Sequence, residues 1–233
     1  MSSKIRLGLA VMAYGGQVHS KHVGMWLRIG NTLAMSPDRF ELGAEVIVDT
    51  NPVDRARNLA VAQCMVNRCD WMLMIDADTW IEEPATMTDA HAGTLALRMI
   101  SDADRAGAAI VVAPVQRRVV PGTAERQLMI YRHVPTSTTP IGEAAVRFHP
   151  GGYTPFDHNP GAMVEIDAAA TAVMAINLNW LAQHEIMFKF TDDRAEDINF
   201  CHDVKAAGGK ILCDGRVRTG HQSKSVYLYS DEG

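Results

Sequence analysis

The chain has 233 residues, 47% of them hydrophobic, enough apolar side chain for one sizeable core, so a single domain over 1–233 is expected. Its 22 basic and 27 acidic residues leave a formal net charge of -5, which argues against a global pull toward nucleic acid or an anionic membrane surface. There is no basic leader and no bilayer-length apolar run, and the four cysteines, Cys64, Cys69, Cys201 and Cys213, have no zinc-type spacing; a soluble, cytoplasmic protein with buried thiols is expected.

Lys4 to Met12 (KIRLGLAVM) is a short apolar run ending in Ala13, Tyr14, Gly15 and Gly16, the pattern of a buried strand entering a tight loop. A helix is expected over about 21–35, and a strand over 40–48 that ends at Asp49. Pro52 and Asp54 open a second helix with Leu59, Ala62, Cys64 and Met65 as its apolar face and Arg55, Arg57 and Asn58 in its polar first turn. Trp71 to Ile75 (WMLMI) is the third strand; a helix over 87–106 and a strand over 108–115 follow. This alternation implies an α/β fold with a mostly parallel central sheet flanked by helices.

From Gln116 to Pro160, repeated prolines and glycines break the pattern into loops and hairpins. Arg117, Arg118, Arg126 and Arg132 form the densest basic group there, a solvated face or a set of phosphate contacts. Order returns with the strand-like run over 163–177 and a short helix near 178–184. Asp192 or Asp193 stands where it can cap a helix over 195–207 that stops at Gly208 and Gly209, after which Lys210 to Asp214 reads as the last strand.

The chemistry-bearing residues follow strand ends, where open α/β sheets bind ligands. Asp76 and Asp78 come directly after the wholly apolar WMLMI. Two residues apart in extended chain, their carboxylates point the same way and offer hard oxygen donors to Mg2+ or Mn2+. Such a cation neutralises a bound diphosphate that two carboxylates alone would repel. A bare DxD also ends many strands without binding anything. An acidic pair of the haloacid-dehalogenase type is disfavoured, because Trp80 stands where that pattern wants Thr or Val.

Glu196 and Asp197 lie in the first turn of the last expected helix, where the helix dipole favours anions whatever their function. His221 follows the last strand and reads either as a structural histidine or as a nitrogen ligand for the same cation as Asp78.

The order of these features resembles the GT-A glycosyltransferases, small bacterial and phage types included: an apolar first strand into a Gly-containing loop, DAD, a Glu-Asp pair, then a late His. The stretch EDINFCHDVKAAGGKILCDGRVRTGH, from Glu196 to His221, and the Arg57-Asn58 pair in DRARNLA carry most of the likeness. The resemblance implies a GT-A, Rossmann-like fold with 1–115 as the nucleotide-sugar-binding half and 116–233 as the acceptor-binding half, the irregular region serving the acceptor.

It further implies a metal held by Asp76, Asp78 and His221, with Asp76 also near the donor ribose or a metal-bound water. Ala13, Tyr14, Gly15, Asp49, Arg57, Asn58, Asp76, Ala77 and Lys224 would contact the nucleotide sugar. Asp197 would be the general base, giving inversion, with Glu196 orienting the acceptor and Asp167 lining its side. The cofactor would be Mn2+ or Mg2+ and the donor UDP- or GDP-linked. Protein, glycan, lipid, small-molecule and modified DNA base acceptors all stay open. Two other functions compete: a sugar-nucleotide nucleotidyltransferase, which wants a basic phosphate loop that AYGGQVHS lacks, and a catalytically silent sugar-nucleotide or glycan-binding module.

Overall fold

The computed structural model describes residues 4–13, 16–83, 91–116, 128–133, 152–155, 161–222 and 226–228. Its elements, in chain order, are β1 (Ile5–Met12), α1 (Ser20–Ala34), β2 (Phe40–Val48), α2 (Val53–Val66), β3 (Trp71–Asp76), β4 (Thr79–Ile81), α3 (Ala92–Arg105), β5 (Ile110–Val112) and β6 (Ile130–His133). They continue with β7 (Tyr153–Pro155), β8 (Met163–Ile166), β9 (Ala168–Ala169), β10 (Val173–Asn177), α4 (Leu178–Leu181), α5 (Glu196–Ala206), β11 (Ile211–Asp214), β12 (Thr219–Gln222) and β13 (Val226–Leu228).

Seven strands form the main sheet in the order β2-β1-β3-β10-β5-β11-β8. β1 runs parallel to β2 and β3, and β11 parallel to β5, whereas β10 and β8 are antiparallel to their neighbours. Five of the seven strands therefore share one direction, and the sheet is mixed around a parallel core.

Side-chain alternation divides the core between the two faces. Leu7, Leu9, Trp71, Leu73 and Ile75 join Met25 and Ile29 of α1 and Leu95, Met99 and Ile100 of α3. Ala10, Met12, Met72 and Met74 join Ala56, Ala60 and Cys64 of α2 and Ile198, Phe200, Cys201 and Val204 of α5. Each large apolar side chain buried in this way stabilises the fold by about 2 kcal/mol relative to exposure. Where α3 meets α1, Gly93 is required, because a Cβ there would overlap Thr32 and come 2.6 Å from the Arg28 carbonyl oxygen.

Several local expectations give way to tertiary pairing. The buried side of α2 is Ala56, Arg57, Ala60, Val61 and Cys64, while Leu59 is 44% exposed. The i, i+4 series 56-60-64 presents small side chains to the sheet, so an arginine expected in a polar turn is buried. The single run over 163–177 is three strands, two of which, β8 and β10, belong to the main sheet while β9 joins a three-stranded sheet of order β7-β6-β9. Asp192 and Asp193 do not cap α5; its N-cap is Ala195, without a side-chain hydrogen bond. β11 is not the last strand, since β12 and β13 follow, and β12 pairs with both β13 and β4 in a second three-stranded sheet, order β13-β12-β4.

The helix expected over 87–106 is described from Ala92; its expected start falls outside the described residues, as does most of 116–160. All four cysteines are buried and free. No helix among the described residues is long and apolar enough to cross a membrane.

Candidate active site

The parallel strands β1 and β3 end side by side, with Met12 and Asp76 as register partners. The Ala77 N–H donates to the Met12 carbonyl at 3.1 Å, and the Asp76 N–H to that of Ala172 at 3.0 Å, which fixes the chain where it leaves the sheet. Beyond these ends opens a cavity of about 890 Å3, walled by Asp76, Ala77, Asp78 and His221 and, from the segment that leads into α1, by Gln17, His19 and Ser20.

The two aspartates do not act as one extended pair. A turn follows Asp76, so Asp76 Oδ2 lies 3.8 Å from Arg57 Nη2, while Asp78 Oδ2 lies 3.4 Å from His221 Nε2. The meeting of Asp78 and His221 is made by backbone. Thr79 and His221 are partners in the β4-β12 ladder, and the Gln222 N–H donates to the Asp78 carbonyl at 2.7 Å. His221 Nδ1 faces the Gln116 carbonyl at 3.4 Å. With Nδ1 on that carbonyl, Nε2 is the ring nitrogen directed at Asp78.

Gly220 lets the ladder close, since a Cβ there would overlap the Trp80 indole. Trp80 in turn stacks on His19 at 4.8 Å between centroids and receives Lys21 Nζ over its ring.

Among the described residues no three His, Cys, Asp or Glu side chains converge as a closed metal site. Asp78 and His221 could hold a divalent cation, with one oxygen and one nitrogen donor at the cavity wall that Asp76 also lines. Asp76 Oδ1 is buried and has no hydrogen-bond partner among the described residues. Burial pushes the Asp76 pKa up, against the pull of the Arg57 guanidinium, and the Asp78 charge adds to the rise. A cation bound beside these carboxylates would relieve both effects.

The second acidic pair reaches this region through Arg57. Its side chain is 6% exposed and donates through Nη1 to Glu196 Oε1 in the first turn of α5. Asn58 is fully engaged with the backbone of Phe188: Nδ2 donates to its carbonyl at 2.7 Å, and the Phe188 N–H donates to Oδ1 at 2.9 Å. Phe188 lies under the Arg57 guanidinium and stacks on Phe200 of α5. Asp197 Oδ1 accepts the Ile198 N–H at 2.7 Å. Burial, reinforced by the charge of Glu196, pushes its pKa up to about 6, against the opposing effect of Arg57.

The other residues named from sequence are dispersed. Ala13 is buried at the end of β1, and Ala77 is on the cavity wall. Exposed Asp49 has its carboxylate beside Gly16. Asp167 Oδ2 accepts the His133 N–H at 2.9 Å and Oδ1 lies 3.7 Å from Lys205 Nζ, on the side of the β7-β6-β9 sheet. Tyr14, Gly15 and Lys224 lie outside the described residues, as do Arg117, Arg118 and Arg126.

Sequence reading missed His22, which is 1% exposed and whose Nδ1 lies 2.8 Å from the Thr79 carbonyl, beneath the acidic turn. Desolvation by burial lowers its pKa, so the neutral ring donates from Nδ1. The only sequence signal for His22 was its position one turn into the helix that follows the first strand.

No protein-family model and no curated protein matches the chain. Among solved structures it is similar to A197 from STIV, at 11% identity and a TM-score of 0.53, over 98% of this chain and 96% of that one. It is also similar to GalNAc-T7, solved with UDP, GalNAc and Mn2+, at 8% identity and a TM-score of 0.54, over 95% of this chain. The chain spans 44% of the GalNAc-T7 chain. At these identities the likeness is one of fold, and that fold is GT-A-like over nearly the whole chain.

Proposed function

We propose that this protein transfers a sugar from a nucleoside diphosphate to an acceptor hydroxyl, with Asp78 and His221 holding a divalent cation, Mn2+ or Mg2+, and Asp197 as general base. The observation that carries the reading is the approach of Asp78 to His221 in a cavity at the ends of β1 and β3, linked through Asp76 and Arg57 to the Glu196-Asp197 turn. Three carboxylates, Asp76, Glu196 and Asp197, lie around the Arg57 guanidinium, and the charge of a fourth, Asp78, bears on Asp76. So acidic a site accepts a diphosphate only together with a multivalent cation. GalNAc-T7, which shares the fold, was solved with UDP and Mn2+.

A cation held there would neutralise the charge that grows on the departing diphosphate. Asp78 and His221 orient it, and the buried Asp76 Oδ1 offers an acceptor to a donor hydroxyl or to an ordered water. Asp197 takes the proton from the acceptor oxygen as that oxygen attacks the anomeric carbon, a single displacement with inversion. A carboxylate with a pKa of about 6 is a better proton acceptor than an ordinary aspartate and still ionised at neutral pH. Glu196, held by Arg57, keeps the first turn of α5 in place.

Calorimetric titration of UDP and GDP with Mn2+, alongside a transfer and hydrolysis screen of nucleotide sugars, tests the proposal. Asp78→Ala is expected to abolish metal-dependent nucleotide binding, and Asp197→Asn to keep binding while losing transfer by about 100-fold or more. Undiminished transfer by the Asn variant would remove Asp197 from its role. Metal-dependent binding without any turnover would leave a sugar-nucleotide-binding module instead.

A further inference from the structure

A guanidinium taken out of water costs several kcal/mol unless well paired, and Arg57 is 5% exposed. It comes from the first turns of α2 and reaches two carboxylates on separate elements: Asp76, the last residue of β3, and Glu196, the first of α5. The first turn of α5 has no side-chain cap of its own. Its neighbourhood is tied to α2 by the Arg57-Glu196 contact, by Asn58 on the Phe188 backbone and by the stack of Phe188 on Phe200. Asp197 is the next residue along that turn.

We propose that Arg57 is a positioning residue that does not touch the nucleotide: by gripping Asp76 and Glu196 with one planar guanidinium it fixes the first turn of α5 against the end of β3 and so places the Asp197 carboxylate. The inference rests on the reading of Asp197 as general base. It departs from the role in nucleotide-sugar binding that the sequence resemblance suggests for this arginine. The planar guanidinium presents Nη1 to Glu196 and Nη2 to Asp76 in one fixed fork; a lysine, shorter and with one nitrogen on a flexible stem, keeps the charge without that fixed spacing.

The test compares Arg57→Met and Arg57→Lys with the wild type in steady-state transfer over a range of pH. Arg57→Met is expected to lower kcat about 100-fold, to leave the donor KM within about threefold, and to move the acid limb of the pH profile up by about one unit, because a neighbouring positive charge is lost. Arg57→Lys is expected to restore about tenfold of the lost kcat. A donor KM raised about tenfold or more, with kcat and the acid limb unmoved, would overturn the proposal and make Arg57 a nucleotide contact.

Should Arg57→Met not fold, Arg57→Lys carries the same comparison, with an intermediate loss of kcat at constant KM expected. Should the wild type turn over no nucleotide sugar, the glycosyltransfer reading fails, and amide hydrogen exchange decides this inference separately. Exchange at Asn199 to His202 about tenfold faster in Arg57→Lys, with 71–76 unchanged, supports the tether, and unchanged exchange overturns it.

Discussion

Asp197 is where activity and stability pull in opposite directions. Its ordinary pKa is 3.8 and its folded value about 6, so the unfolded chain gives up this proton more readily than the folded one. A raised carboxyl contributes stability that is fully present below about pH 4 and is lost as pH rises through 6, about 3 kcal/mol over the interval. Transfer is therefore expected to rise through an apparent pKa near 6 as pH increases, while this group's share of stability declines over the same range. Asp197→Asn is expected to be more stable than the wild type above pH 6, with the difference closing toward pH 4 in denaturant melts. A variant with the same pH dependence of stability as the wild type would contradict the electrostatic account.

At the scale of elements, the β4-β12 ladder is what gives the cavity its histidine. Trp80 and Gly220 are partners in that ladder, and the indole occupies the space a Cβ at 220 would need. Gly220→Ala is expected to destabilise the protein by about 1–3 kcal/mol and to displace His221 from Asp78. Calorimetry should show Mn2+-dependent nucleotide binding weakened about tenfold, more than the loss of stability alone would produce. Unaltered binding would mean that the strand tolerates the shift without moving the imidazole.

These elements also mark what could be read from the chain and what could not. WMLMI followed by DAD was legible, since a wholly apolar strand ending in acid is a local pattern, and so was the acidic first turn of α5. Residues 79–81 and 219–222 are each too short to be read as strands alone and exist because they pair with each other. Arg57 was read into a polar turn, since nothing nearby in sequence announces that Glu196, 139 positions away, will neutralise it. The contact of the Asn58 amide with the Phe188 backbone is equally distant in sequence, and no local pattern announces it.

For the whole molecule, the alternation of strands and helices was enough to give the α/β class, and the mixed directions in the sheet came from β8 and β10, whose single apolar run hid two reversals. A ligand that binds only the folded chain stabilises it by about 2.7 kcal/mol at one hundred times its dissociation constant. For a domain of this size that is a rise in melting temperature of about 5–10 °C. UDP or GDP with Mn2+ is expected to give such a shift, the nucleotide alone a much smaller one, and His221→Ala to suppress the difference. Equal shifts with and without the metal would count against Asp78 and His221 as its holders.

The ladder between residues 79–81 and 219–222 has one more consequence, for how the protein tolerates shortening. A chain ended before Thr219 would forfeit its nitrogen donor and, in the same stroke, strip the acidic turn of the neighbour that aligns its peptide groups. Cation affinity and local order around Asp78 should therefore vanish together on trimming by a carboxypeptidase, as though a clasp had been undone.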